Sequence, residues 1–174
     1  MKYFVVMIAL FCIAAPASAQ TPVSKDMADQ YLANCLKQAP QPGLSAEGQK
    51  TVCACTAGRL PQFFTMEDWS AMTNSDPAVA RPAANKMMVD VYAPCMEVPT
   101  REKYYALCAE NPSVNQDMCK CTADSIAAYM KNNGSKVFGE ILANNPMSQD
   151  PMAELEKKGN FMAYKEAAAR NCIR

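Results

Sequence analysis

The sequence predicts an all-α protein made of two similar halves, each a unit of three to four short helices joined by two disulfides. Three observations support this prediction. The stretch Cys-x-Cys-Thr-Ala occurs twice, with a lone cysteine before and after each copy. Helix-favouring residues are plentiful, and alternating β-branched runs are absent. An export signal is followed by an even number of cysteines, which is typical of a disulfide framework.

The first 19 residues have the pattern of a secretory signal peptide. Lys2 supplies a positive start, an apolar run extends from Tyr3 to Ala15, and Ala17-Ser18-Ala19 is a small-residue cleavage site. The apolar run is shorter than the roughly 20 residues that span a bilayer. We therefore expect residues 1–19 to be removed and the mature protein to be periplasmic or secreted. The compact Ala-x-Ala site favours the periplasm.

The mature chain is nearly neutral. Removing residues 1–19 from the 174 leaves 155, with 16 Lys and Arg against 17 Asp and Glu, because Lys2 is the only charge removed. This balance provides no basic surface for nucleic acid and no polybasic stripe for a membrane. No later stretch is apolar enough to span a bilayer, so we expect a soluble mature chain.

An internal repeat becomes visible when the two Cys-x-Cys stretches are aligned. Tyr31 and Tyr104 each lie four residues before the first lone cysteine of their copy. Successive cysteines are 18, 2 and 40 residues apart in the first copy and 11, 2 and 51 in the second. Differences of that size fit loop variation between equivalent elements. We predict a tandem duplication with a first half at 20–98 and a second half at 99–174.

Start and stop signals place the first two helices. Ser24 is positioned to cap a helix that runs to about Gln38, before a Pro-rich break at residues 39–43. Ser45 is positioned to cap the second helix, which carries the first Cys-x-Cys. We expect Pro61 to end this helix, because proline lacks the N–H that an interior turn requires.

Two shorter helices complete the first half. Thr65 precedes Glu67-Asp68, acidic residues that favour a first turn, and Trp69 follows inside the same helix, where core packing is expected. The next helix begins at Asp76-Pro77 or at Pro82 and ends near Cys95, with Pro94 in its last turn.

The second half repeats this plan. Pro99 starts a helix through Cys108, and Ser113 with Gln116 forms a capping box for the helix with the second Cys-x-Cys. Gly134 is placed as the C-terminal stop of that helix. The remaining elements are a short helix that starts at Ser135 and contains Phe138, and a last helical region from Asp150 to Cys172 that Gly159 is expected to split.

The helical setting of the Cys-x-Cys stretches restricts their pairing. Residues two apart on a helix point about 200° apart, so a bridge between the two cysteines would be strained, and each is expected to reach a different neighbour. All four cysteines of a half can meet at one end of its bundle. Two pairings stay open, Cys35–Cys53 with Cys55–Cys95 or Cys35–Cys55 with Cys53–Cys95, and the same choice holds for Cys108, Cys119, Cys121 and Cys172.

Three functional chemistries compete with a purely structural use of the cysteines. Thiols and the eleven mature methionines suit copper or zinc, but histidine and Cys-x-x-Cys are both absent. Thiol redox chemistry needs a low-pKa thiol, whereas every cysteine here has a plausible structural partner. Catalysis lacks a histidine base, and the acid pairs Glu67-Asp68 and Glu154 with Glu156 fit helix starts and solvated faces.

The sequence thus predicts an exported, disulfide-stapled helical protein without catalytic activity or cofactor, with a binding or structural role. The expected partner is a protein, a peptide or a small apolar ligand held between the halves. The alternative is metal handling in the cell envelope, with copper or zinc bound by Cys and Met.

Overall fold

The computed structural model describes residues 20–38 and 43–173. The predicted signal peptide at 1–19 and most of the predicted break at 39–43 lie outside these ranges. In the part of the chain that is described, the secondary structure consists of helices and one isolated bridge between Pro22 and Thr65. The all-α class is therefore confirmed.

The helices follow one another through short connections. The first half contains α1 (Lys25–Lys37), α2 (Ala46–Phe63), α3 (Met66–Met72) and α4 (Pro77–Lys86), followed by a π-helical segment (Met87–Tyr92) and a 3-10 turn (Ala93–Cys95). The remaining helices are α5 (Glu97–Ala109), α6 (Gln116–Asn144), α7 (Pro151–Glu156) and α8 (Gly159–Asn171). The predicted boundary at 98/99 falls in the first turn of α5.

Most helix starts are set by local side-chain caps. The Ser24 and Ser45 hydroxyls accept the backbone N–H groups of Met27 and Gly48. Thr65 and Asp68 form a reciprocal capping box at α3, which satisfies two donors that a helix start leaves unpaired. Asp76 caps α4, so this helix begins at the Asp-Pro pair and carries Pro82 inside it.

Two predicted boundaries are displaced by two residues. The predicted capping box at Ser113 is wrong, because Asn115 caps α6 and accepts the N–H of Asp117 at 2.8 Å. Asn is as strong an N-cap as Ser, and the Ser113 N–H is held by Asn111 in the preceding turn. Pro61 lies inside α2, which continues to Phe63.

The predicted break at Gly134 is wrong. Residues 135–144 continue α6, a single helix of 29 residues. Gly134 is buried where α6 crosses the 3-10 turn, and a Cβ atom at this position would lie 2.8 Å from the carbonyl oxygen of Ala93. Glycine therefore serves the close approach of two backbones here and not the end of a helix.

Two hydrophobic clusters form the core. The first belongs to the first half and contains Leu60, Phe64 and Val91. The second is built on α6 with α7 and α8, but it also includes Ala93 and Met96 from the first half. Because α6 packs on the π-helical segment and the 3-10 turn, the two halves share this interface. The tandem duplication itself stays a prediction.

Candidate binding groove between the halves

Within residues 20–38 and 43–173, four disulfides join the helices. Their pairing order is the same in both halves, and it is the first of the two alternatives that the sequence leaves open. Cys53, Cys95 and Cys119 are buried, whereas Cys121 is exposed. The bridges are Cys35–Cys53, Cys55–Cys95, Cys108–Cys119 and Cys121–Cys172.

Each Cys-x-Cys helix is tied on two sides. In the first half α2 is linked back to α1 and forward to the 3-10 turn. In the second half α6 is linked back to α5 and forward to the residue after α8. The cysteines therefore hold α5 and the 3-10 turn in place, and each of these elements contacts the other half, α5 at α2 and the 3-10 turn at α6.

A groove of about 700 Å³ lies between the halves. Met88 and Tyr92 of the π-helical segment line it from the first half, and Leu107 of α5 lines it from the second. Its volume lies within the range of small-molecule sites, which are mostly apolar concavities with few polar groups. Further apolar lining comes from Leu44, Met96, Phe138 and Met152.

The polar groups along α5 are mostly engaged with neighbours. Lys103 lines the groove and its Nζ lies 2.7 Å from Glu156 Oε1, which also accepts the Tyr104 hydroxyl at 3.0 Å. Burial, and secondarily the Glu156 carboxylate, raises the pKa of Tyr104. Tyr104 is therefore a protonated donor at neutral pH. These contacts fix one wall of the groove.

A carboxylate joins α5 to the start of α2. Glu102 accepts the Ser45 backbone N–H at 2.6 Å and the Ser45 hydroxyl at 2.7 Å. Gly48 leaves room for this carboxylate, since a Cβ there would lie 2.5 Å from Glu102 Oε2. A carboxylate is favourable at the start of a helix because it interacts with the helix dipole. Glu102 therefore links the second half to the first at Ser45, next to the groove residue Leu44.

Thr100 is the one lining residue with an unsatisfied buried group in the part of the chain that the structure describes. The residue is 1% exposed, and its Oγ1 has no hydrogen-bond partner there. Most buried hydroxyls in folded proteins are paired, so this position is energetically unusual.

The acidic pairs considered in the sequence have structural contacts. Glu67 accepts the Thr21 N–H, and Asp68 caps α3 while pairing with Lys86. Glu154 pairs with Lys157. None of these four acids lines the groove, and Glu156 reaches it only through its contact with Lys103.

The groove residues themselves were missed from the sequence. Thr100, Lys103 and Leu107 share a face of α5, but their partners across the groove lie on distant segments. The repeat could have indicated one of them. Trp69 and Phe138 occupy similar places in the two predicted halves, and each lines a cavity beside the first helix of its half.

Among the described residues, no cluster of three or more His, Cys, Asp or Glu side chains is placed to hold a metal ion. No helix within the described ranges is both long and apolar enough to cross a membrane. The chain matches no protein-family model, no curated protein and no solved structure in the comparisons made.

Proposed function

We propose that this protein is an exported, non-catalytic binding protein that holds a small apolar ligand in the groove between its halves. The observation that carries this proposal is the groove itself, where apolar side chains from both halves outnumber the three charged ones, Lys103, Glu110 and Asp150. Met88, Met96 and Met152 contribute flexible, polarisable surface, which adapts to ligands of irregular shape.

The rigidity of the walls supports binding over a purely structural role. Disulfides hold the 3-10 turn and α5, and Glu102 adds a polar link between the halves. A cavity that is already formed loses little conformational freedom when a ligand enters. The four bridges also support export, because disulfides form and persist in oxidising compartments such as the periplasm or the extracellular space.

The absence of catalysis is also part of the proposal. The chain has no histidine, and its acid pairs cap helices or form ion pairs. We do not propose copper or zinc handling, because all eight cysteines of the predicted mature chain are bridged and provide no thiolate.

Titration with a neutral apolar fluorophore, N-phenyl-1-naphthylamine, tests the proposal on the oxidised mature protein. We expect a saturable rise in its emission. Leu107 is 52% exposed, so Leu107→Asp should leave the fold intact while placing a charge in the groove. That charge should weaken binding by at least about tenfold, because a ligand would have to desolvate it.

Leu36→Asp is the matched control. Leu36 is 46% exposed on α1 and lines neither cavity beside the first helices, so this variant should bind the fluorophore as the unaltered protein does. Absence of saturable binding, or equal losses in the two variants, would contradict the proposed function.

A further inference from the structure

A second cavity, of about 270 Å³, lies between α1 and α3 and is separate from the groove. Three amide side chains line it, Gln30 and Asn34 from α1 and Gln38 from the position directly after this helix. The three form an amide row. Gln30 and Asn34 are four residues apart and are therefore neighbours on one side of the helix, about 6 Å from each other, and Gln38 follows as the extended C-cap residue. All three residues are exposed, and their side chains make no hydrogen bond within the described part of the chain.

An aromatic wall faces this row. Trp69 lines the cavity from α3 and Tyr31 from α1. The capping box of Thr65 and Asp68 fixes the start of α3, and the Trp69 ring meets Phe64 edge-on with centroids 6.4 Å apart. Trp69 is therefore held in place while still contributing surface to the cavity.

Among the residues that the structure describes, no charged side chain lines this cavity. A charged ligand would be desolvated there without a counter-charge, which disfavours it. Amides offer both donors and acceptors, and aromatic rings offer apolar faces with a polar edge. That combination matches a ligand with hydroxyl groups on its rim and C–H groups on its faces.

We infer that this cavity binds a neutral saccharide of one or two rings. The amide row donates to and accepts from sugar hydroxyls, and Trp69 packs against the C–H face of a ring. The cavity is below the volume range of drug-sized sites, so it suits a small ligand more than an extended peptide, which needs a groove or a sheet edge.

The position of the cavity mirrors that of the groove. Gln30 and Asn34 precede Cys35 by the same distances as Lys103 and Leu107 precede Cys108. The same place on the first helix of each half therefore carries two amides in the first half and a lysine and a leucine in the second. This inference is independent of the apolar ligand proposed for the groove.

The single tryptophan makes the test direct, because all tryptophan emission comes from Trp69. The oxidised protein is titrated with maltose, cellobiose and N,N′-diacetylchitobiose, and we expect at least one to change the emission saturably. Asn34→Ala and Gln30→Ala should each weaken that binding by about tenfold, the usual effect of losing one hydrogen bond. Asn132→Ala removes an exposed amide from α6, away from the cavity, and should bind normally.

Three results would overturn the inference. One is the absence of both an emission change and calorimetric heat with all three saccharides. Another is a saturable response to triglycine but not to the saccharides. The last is a folded Asn34→Ala variant, judged by its circular dichroism, that binds the saccharide as tightly as the unaltered protein. None of these results bears on fluorophore binding in the groove.

Discussion

The two halves share the order of their disulfides but differ in the polar groups beside them. In the first half the Thr56 hydroxyl donates to the Val52 carbonyl at 2.8 Å. The matching hydroxyl of Thr122, one residue after Cys121, is buried without a partner in the described part of the chain. The same Cys-x-Cys-Thr stretch therefore provides a satisfied hydroxyl in one half and an unsatisfied one in the other.

The tyrosines before the lone cysteines diverge in the same way. Burial raises the pKa of Tyr31, with Tyr92 adding to the effect and the Thr56 hydroxyl opposing it. Tyr104 instead donates to Glu156, a partner on α7. The shared disulfide order therefore fixes which helices are joined, while the neighbours on other elements decide which polar contacts form.

The largest expected effect comes from removing the longer bridge of each half. Replacing Cys121 and Cys172 by Ala should lower the free energy of unfolding by about 4 kcal/mol, because the bridge closes a loop with a sequence separation of 51. The Cys55 and Cys95 pair spans 40 residues and should cost at least as much, since Cys95 is also buried. Urea unfolding measures the free energy of unfolding of both double variants.

These two double variants test the equivalence of the halves. A first-half variant that is clearly less destabilised than the second-half variant would show that the bridges do not have equivalent roles. Cys12 lies in the predicted signal peptide and does not enter the comparison.

Two glycines inside the Cys-x-Cys helices should respond in opposite directions. Gly134→Ala would push a methyl group against the Ala93 carbonyl and should destabilise the protein by about 1–3 kcal/mol. Gly58 on α2 is exposed, and a Cβ there would meet no atom within 4 Å. Gly58→Ala should therefore stabilise by about 0.5–1 kcal/mol. Thermal unfolding shows whether each variant is more or less stable than the unaltered protein. A Gly134→Ala variant of unchanged stability would contradict the close packing of α6 on Ala93.

The two threonines provide a sharper comparison of the halves. Thr56→Val removes a satisfied hydroxyl and leaves the Val52 carbonyl with one contact fewer, so it should cost about 1 kcal/mol. Thr122→Val removes an unsatisfied buried hydroxyl and should be neutral or stabilising by up to about 1 kcal/mol. Chemical denaturation measures the free energy of unfolding of both variants. Equal losses of stability would mean that the Thr122 hydroxyl has a hydrogen-bond partner.

The smallest effect concerns acid stability. Lys131 holds the pKa of Glu97 below its ordinary value of 4.5, with burial opposing the shift and Arg101 adding to it. Because the folded pKa is the lower one, this contribution is present above pH 4.5 and is lost as the pH falls through the folded pKa.

Glu97→Gln should therefore reduce stability at neutral pH by less than about 1 kcal/mol, as expected for ion pairs near the surface. Its loss of stability below pH 4.5 should also be shallower than that of the unaltered protein. Unfolding midpoints measured across this range check the prediction, and parallel acid profiles would contradict it.

Local signals account for the parts of the fold that were predicted correctly. Ser24, Ser45 and Thr65 cap helices through bonds to residues three positions away, so their neighbours in the sequence are sufficient. The helix class and the opposite directions of the two cysteines in each Cys-x-Cys follow from the same short-range geometry.

Long-range contacts account for the rest. Gly134 has the local appearance of a helix stop, but its role depends on Ala93, 41 residues earlier. The choice between two disulfide pairings depends on how neighbouring helices are rotated, which periodicity does not reveal. The groove requires α5 to face the π-helical segment and α7, and the sequence predicted only that a ligand would lie between the halves.

Intact mass of the protein, expressed with its leader and recovered from the periplasm, shows whether its cysteines are bridged or bind metal as free thiols. We expect a chain that starts at Gln20, is eight protons lighter than its reduced form, and takes up alkylating reagent at eight cysteines only after reduction. Alkylation before reduction, or a native mass that includes copper or zinc, would contradict the disulfide-stapled binding protein and favour metal handling.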